Sequence, residues 1–262
     1  MDPSWVRLSR AGHDVQRGPP VMSRPDITGD AQQIKDVIVR GGVAILQGDV
    51  GYGLLTATPK AARKTIDVKG RAAHKRHGML GCADFRHEAQ ILDPVKHDMI
   101  DAITIDYDLP LGVIAPVRRG HPVVESIEPE TFRASSVEGT MAMLHNNGAL
   151  SDELARLSLD EGVAFLGSSA NLSGTGVKFR VQDIQPEVIE QADLIVDYGL
   201  AKYHHYQRSS TMINFGTMQV VRIGCGYELI SDILLRYFGF ECPPDPGRKA
   251  NPFGHLWEPA AI

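Results

Sequence analysis

The chain is poor in the residues that staple or anchor proteins. Its three cysteines, Cys82, Cys225 and Cys242, form an odd, scattered set without a CxxC pair. That excludes a disulfide framework and points to reduced thiols, hence to a cytoplasmic protein. No apolar run is long enough to cross a bilayer, so no membrane partner is expected. The opening MDPSWVRLSRAGHD holds no continuous apolar stretch and does not read as a secretory signal. Positive charge is not in excess: 27 Lys and Arg against 32 Asp and Glu leave a net charge of −5. This argues against a broad, undirected phosphate-binding surface, while a local basic pocket stays open.

Several motifs are also missing. His204-His205 has no second ligand pair at zinc spacing, and His121 and His145 stand alone, so no protein-bound metal is expected. GDVGYG does not keep the strict GxGxxG dinucleotide register. Ser168 and Ser169 do not sit in a GxSxG elbow, which leaves a hydrolase triad without support. No internal repeat or low-complexity block is present.

What is there is an ordinary globular composition, 43% hydrophobic and 23% charged over 262 residues. That is enough for one sizeable core, or for one domain with tails. Residues 1–27 carry Gly18, Pro19, Pro20 and Pro25 without periodicity and read as a flexible arm that folding does not need. A helix is predicted from an N-cap at Asp30, with Ile34, Val37 and Ile38 on one face and Gly41-Gly42 as its stop. Val43–Leu46 reads as a strand leading into a GDVGYG turn. A helix follows from Pro59 to Val68. Met79–Ala83, Leu111–Pro116, Thr140–Leu144, Val163–Leu166 and Leu194–Val196 read as strands. Pro94–Ile105, a segment capped by Ser151 or Asp152 and ending at Gly162, and Pro186–Ala192 read as helices. Gly216-Thr217 turns a hairpin between Thr211–Phe215 and Met218–Ile223. Leu229, Ile230, Ile233, Leu234 and Phe238 mark a last amphipathic helix. Alternating strands and helices with one antiparallel hairpin predict an α/β domain with a mixed sheet. Its span is 28–240, followed by an irregular tail, 241–262.

Three segments have the residue types for chemistry. Lys69-Gly70-Arg71, with His74, Lys75 and Arg76, places five cationic or partly cationic residues within eight. A glycine between Lys and Arg suits a polyphosphate, since Arg offers a planar fork and Lys a point charge. A solvated basic turn explains the same residues. Gly167-Ser168-Ser169-Ala170-Asn171-Leu172-Ser173-Gly174 leaves the most apolar strand, where α/β proteins place ligands. Its small residues let backbone N–H groups face an anion, although a plain polar turn is the alternative. Arg208-Ser209-Ser210-Thr211 enters the hairpin whose far strand ends in Arg222, which brings Ser210, Thr211 and Arg222 to neighbouring rows. Ordinary decoration of a surface strand is the other reading.

The order of these pieces resembles the YrdC-like family, whose best-known activity is threonylcarbamoyl-AMP synthesis for tRNA modification. GGVAILQGDVGYGL looks like the family's strand and TxTVYGL turn, and DVKGRAAHK like LKGRPxxKP. FLGSSANLSG is similar to STSANxSG, SSTMINF to STVVD, and VVRIG to LRPG. The likeness covers roughly residues 30–225. It implies a single YrdC-like domain with a twisted mixed sheet flanked by helices. It also implies ATP as nucleotide, bicarbonate as co-substrate and Mg2+ bridging the phosphates. By resemblance, Lys69, Arg71, Lys75, Ser169, Asn171, Ser210 and Arg222 face the nucleotide, with Lys69 and Arg71 as the catalytic pair. Asp49 and Tyr52 border the acceptor amine.

The departures concern the acceptor side. Gln47-Gly48 stand for the family's Pro-Thr, Val50 for its second Thr, and Leu144 for the Arg of its VRxP strand. Ala72 stands for the proline after KGR, and Tyr107-Asp108-Leu109-Pro110 for WPGP. A site that loses the group recognising a substrate hydroxyl loses selectivity for it. Threonine is therefore expected to be a poor acceptor, with His145 and Arg118 as candidates for a replacement charge. A related carbamoyl-transfer enzyme, and a nucleotide- or double-stranded-RNA-binding module with an RNA or tRNA-modification partner, are the alternatives. The negative net charge weighs against RNA, whose affinity grows with the phosphates neutralised.

Overall fold

The computed structural model describes residues 24–68 and 76–256. The helices are α1 (Ile27–Val39), α2 (Pro59–Val68), α3 (Ala83–Ala89), α4 (Pro94–Asp101), α5 (Pro122–Glu125), α6 (Pro129–Ser135), α7 (Ala149–Glu161), α8 (Pro186–Ile189) and α9 (Tyr227–Phe238). The strands are β1 (Ala44–Gly48), β2 (Gly51–Thr56), β3 (Gly78–Gly81), β4 (Leu111–Pro116), β5 (Thr140–His145), β6 (Leu166–Ser169), β7 (Leu194–Val196), β8 (Thr211–Asn214) and β9 (Gln219–Arg222). They form one mixed sheet in the order β7-β1-β2-β6-β3-β5-β4-β8-β9. β1–β2, β2–β6, β3–β6, β4–β5 and β8–β9 pair antiparallel, whereas β1–β7, β3–β5 and β4–β8 pair parallel. The expected α/β fold with a mixed sheet flanked by helices is the one found.

Period-two alternation in the central strands decides where the open face lies. In β4 and β5, Leu111, Val113, Ala115, Met141 and Met143 are buried. Val113 and Ala115 pack with α4 and α9, and Met141 and Met143 with α3, α5 and α6. The intervening Ile114, Ala142 and Leu144 stay half-buried on the opposite face, with Met212 of β8. On the other side of the sheet, Ile34 and Ile38 of α1 and Leu150 and Leu154 of α7 cover Leu46 and Leu55. The central strands thus keep one apolar face without a covering helix.

Local chemistry shifts several boundaries. The first helix starts at Ile27 because Asp26, not Asp30, caps it, its carboxylate accepting from the Gly29 N–H at 3.1 Å. Asp30 lies inside that helix, buried, and accepts from the Tyr198 hydroxyl at 2.7 Å. The strand expected over Val163–Leu166 begins where that segment ends. Gly162, in the left-handed region at φ 65°, closes α7, and the Val163 N–H bonds Ser158 O at 3.1 Å, so Val163 belongs to the helix cap. α7 itself begins at Ala149 rather than after Ser151 or Asp152. The strand at Met79 stops at Gly81, and α3 follows from Ala83. The helix from Pro94 ends at Asp101 and continues as a π-helical turn, Ala102–Asp106. In GDVGYG only Asp49 and Val50 turn: Gly48 pairs with Gly51 in a tight β1–β2 hairpin.

Candidate functional site

The uncovered sheet face floors a cavity of about 1010 Å³. It runs from the β1–β2 hairpin and the loop after β6, past Leu80, Leu144 and Ile114, to Ser210 and Arg222 on β8 and β9.

The small-residue loop leaves β6 held by backbone bonds. The Ala170 N–H bonds Tyr52 O at 2.8 Å, and the Asn171 N–H bonds Ser169 O at 3.0 Å. Asn171 spends its amide NH₂ on Leu172 O at 2.6 Å, while its Oδ1, buried, has no partner among the described residues. The Ser173 hydroxyl is in the same state. Both residues line the cavity, with Ser169. A buried polar atom left unpaired costs about 1–3 kcal/mol, so two in one loop mark a place for a ligand or water.

Arg222 faces the same space. Its Nε donates to Ser210 O at 2.9 Å and its Nη2 to Ser210 Oγ at 3.0 Å. No carboxylate among the described residues forms an ion pair with it, and burial pulls its pKa down to about 10, which still leaves it charged at neutral pH. A half-buried guanidinium without a carboxylate partner among the described residues is suited to an anion. Ser210 accepts from Arg222 and keeps its own O–H proton to donate. Ser169, Asn171, Ser210 and Arg222 therefore do share one cavity. Lys69, Arg71 and Lys75 lie outside the described residues.

Of the expected acceptor-binding pair, Tyr52 lines the cavity and Asp49 does not. The Tyr52 ring packs in the core with Val43, Ile45 and Leu54, and its hydroxyl sits between the Asp197 carboxylate and Gly199 O. Burial, then the Asp197 carboxylate, raises its pKa, so it stays protonated and occupied. Asp49 is not among the residues lining the cavity; its carboxylate pairs with Lys202 at 3.3 Å.

The segments that depart from the family pattern, Gly48, Val50 and Leu144, do line the cavity, together with Asn147 and Ser151. Asn147 explains Gly48. Its carbonyl accepts from the Asp49 N–H at 2.9 Å, its Oδ1 from the Val50 N–H at 3.1 Å, and its amide donates to Ser151 Oγ at 3.0 Å. A Cβ at Gly48 would sit 2.0 Å from Asn147 Nδ2. His145 lies under Gly81, where a Cβ would be 2.5 Å from its ring, and burial pulls its pKa down to about 3. It is neutral and on the far side of β5. Arg118 is exposed and does not line the cavity. Neither supplies the charge that Leu144 lacks.

Asn147 of the segment after β5, and Phe253 and His255 of the tail, line the cavity without a local signal in the sequence. Ser173 stands inside the recognised loop and was within reach. The others show themselves through contacts with residues far away in the chain.

A family model, Sua5/YciO/YrdC, described as telomere recombination, matches residues 36–224. No curated protein matches the chain. The solved structures similar to it include the hypothetical protein smu.1377c from Streptococcus mutans UA159, at 19% identity and a TM-score of 0.64 over 80% of this chain and 93% of that one. They also include P. abyssi Sua5 complexed with L-threonine, at 17% identity and a TM-score of 0.63 over 83% of this chain and 60% of Sua5. A third is full-length HypF in its phosphate- and nucleotide-bound form, at 15% identity and a TM-score of 0.52 over 75% of this chain and 28% of HypF. With 189 consecutive residues matched by the family model and the same fold in these structures, the chain belongs to the Sua5/YciO/YrdC family.

Proposed function

We propose that the chain is an ATP-dependent synthase of a carbamoyl adenylate, acting on an amine less polar than threonine. The carrying observation is one cavity that holds, without partners among the described residues, the buried Asn171 Oδ1 and Ser173 Oγ, and Arg222 as a cation lacking a carboxylate. The amine and bicarbonate condense to a carbamate with loss of water. A carbamate oxygen attacks the α-phosphorus of ATP, the bond from that phosphorus to the β-phosphate bridge oxygen breaks, and pyrophosphate leaves with the electron pair. No protein nucleophile is needed; the protein's work is holding anions in line and neutralising charge. Arg222 and Ser210 bind phosphate or carbamate oxygens. Asn171 and Ser173 orient nucleotide hydroxyls or bound water. Lys69, Arg71 and Lys75 add the charge that the leaving pyrophosphate requires.

Among the described residues no three His, Cys, Asp or Glu side chains group to hold a metal. Mg2+ accompanying ATP would supply charge neutralisation at its phosphates. The acceptor end has Gly48, Val50 and Leu144 where the family pattern has two hydroxyls and a guanidinium, and its polar residue Asn147 is spent on the hairpin. Losing one charge-assisted hydrogen bond costs about 1.5–3 kcal/mol, roughly ten- to a hundred-fold in affinity.

The test is ATP- and bicarbonate-dependent pyrophosphate release across a panel of amines and amino acids. Release with an apolar acceptor, and a threonine KM at least tenfold higher, is the expected result. A micromolar threonine KM with normal turnover overturns the acceptor assignment alone. No release with any acceptor, together with a salt-dependent RNA shift, replaces the synthase by a binding module.

A further inference from the structure

After α9 the chain runs from Gly239 to Leu256 without helix or strand, yet it is pinned along its length. The Tyr227 hydroxyl donates to Pro243 O at 2.5 Å. Arg208, only 5% exposed, holds two points at once: Nη1 donates to Asp245 at 2.6 Å and Nη2 to Asn251 O at 2.7 Å. The Ile223 N–H donates to Gly254 O at 2.8 Å and the Leu256 N–H to Val221 O at 3.0 Å, with a bridge between Arg222 and His255. The tail therefore covers the open edge of β9. Gly254, at φ 77°, is required there, since a Cβ would lie 1.8 Å from Ile223 O.

From that edge Phe253 reaches the opposite rim of the cavity. A Cβ on Gly176, just beyond the loop after β6, would lie 3.0 Å from the Phe253 ring. β6 and β9 are five strands apart in the sheet, about 24 Å across a flat sheet. The tail thus connects two rims that the strands keep well apart. Phe253 and His255 line the cavity, and Phe253 keeps 43% of its surface exposed. Nothing in a core demands an aromatic at such a place, while a flat ring with an open face suits a planar base.

We propose that the tail over Pro243–Leu256 is a fixed wall of the nucleotide site, in which Phe253 stacks on the nucleobase and the Arg208–Asp245 pair sets the position of the wall. This rests on the nucleotide reading above and adds which part of the nucleotide the wall reads. Arg208, which precedes the two serines before β8, serves as the anchor of the strap.

Calorimetric titration of the full chain with ATP and with inorganic tripolyphosphate tests it. Phe253→Ala is expected to weaken ATP about ten- to a hundred-fold, the worth of one base stack, and to leave tripolyphosphate affinity unchanged. Phe253→Tyr restores ATP binding. Asp245→Ala is expected to weaken ATP severalfold and to speed tryptic cleavage at the exposed Arg248 and Lys249, which saturating ATP slows in the parent chain. A Phe253→Ala chain that binds ATP as the parent does overturns the wall and leaves the nucleotide site standing. A parent chain that binds neither ATP nor tripolyphosphate overturns both.

Discussion

Two groups of residues lining the cavity manage their polar atoms in opposite ways. In the loop after β6 and across the sheet on β9, Asn171 Oδ1 and Ser173 Oγ are buried without partners and Arg222 has no counter-charge among the described residues. At the β1–β2 hairpin, Asn147 spends both ends of its amide and its carbonyl on Asp49, Val50 and Ser151. The first group leaves polar atoms unspent. The hairpin uses them to hold a two-residue turn and presents Val50, Leu144 and Gly48 backbone to the cavity. Residue types alone would rank the two groups alike, since both hold Asn and Ser; the difference lies in which atoms are already engaged.

The largest expected effect tests whether the hairpin end truly lacks a cation. His145 has a folded pKa near 3 against an ordinary value of 6.5, because burial disfavours its charged form. A depressed folded pKa gives stability that is fully present above the unfolded value and is lost as pH falls from about 6.5 towards 3. Relative to His145→Asn, the parent chain should lose a few kcal/mol over that window, read by urea unfolding at several pH values. A constant difference would mean that His145 titrates normally and is available as a cation.

In the other group, Arg222→Met should weaken ATP about ten- to a hundred-fold, through loss of a charge-assisted bond of about 1.5–3 kcal/mol. Because it removes a half-buried cation lacking a carboxylate partner among the described residues, its melting temperature should hold or rise. A variant that melts lower while binding ATP normally would make Arg222 a structural residue.

The smallest effect concerns the clamp. Gly48→Ala places a Cβ against Asn147 and should destabilise by about 1–2 kcal/mol, as overpacking does. Asn147→Gly in the same chain should make room for the alanine, so that adding Gly48→Ala costs little more. Additive losses in that double-mutant cycle would show that Asn147 does not hold the turn.

Much of the frame was legible in the chain. Pro59–Val68, Leu111–Pro116 and Leu194–Val196 match element for element, because helix caps and apolar periods are written in neighbouring residues. The loop after β6 was recognisable too, since a run of small polar residues following an apolar strand is itself a local signal. Asp30 misled because a good capping residue four positions after another one looks the same in one dimension. In the fold Asp26 caps the helix and the Asp30 carboxylate accepts from the Tyr198 hydroxyl, 168 residues away.

By itself the sequence determined the α/β class, the order of the elements and the motifs that mark the family, all of which follow from short-range periodicity and composition. The tertiary structure decided which polar atoms remain unspent. Asn147 reaches the Val50 amide across 97 residues, the Tyr52 hydroxyl is taken by Asp197 across 145, and Arg208 holds the tail at Asp245. Hydrogen-bond satisfaction is a property of neighbours in space. A side chain of the right type becomes a binding group only where folding leaves it enclosed and without a partner.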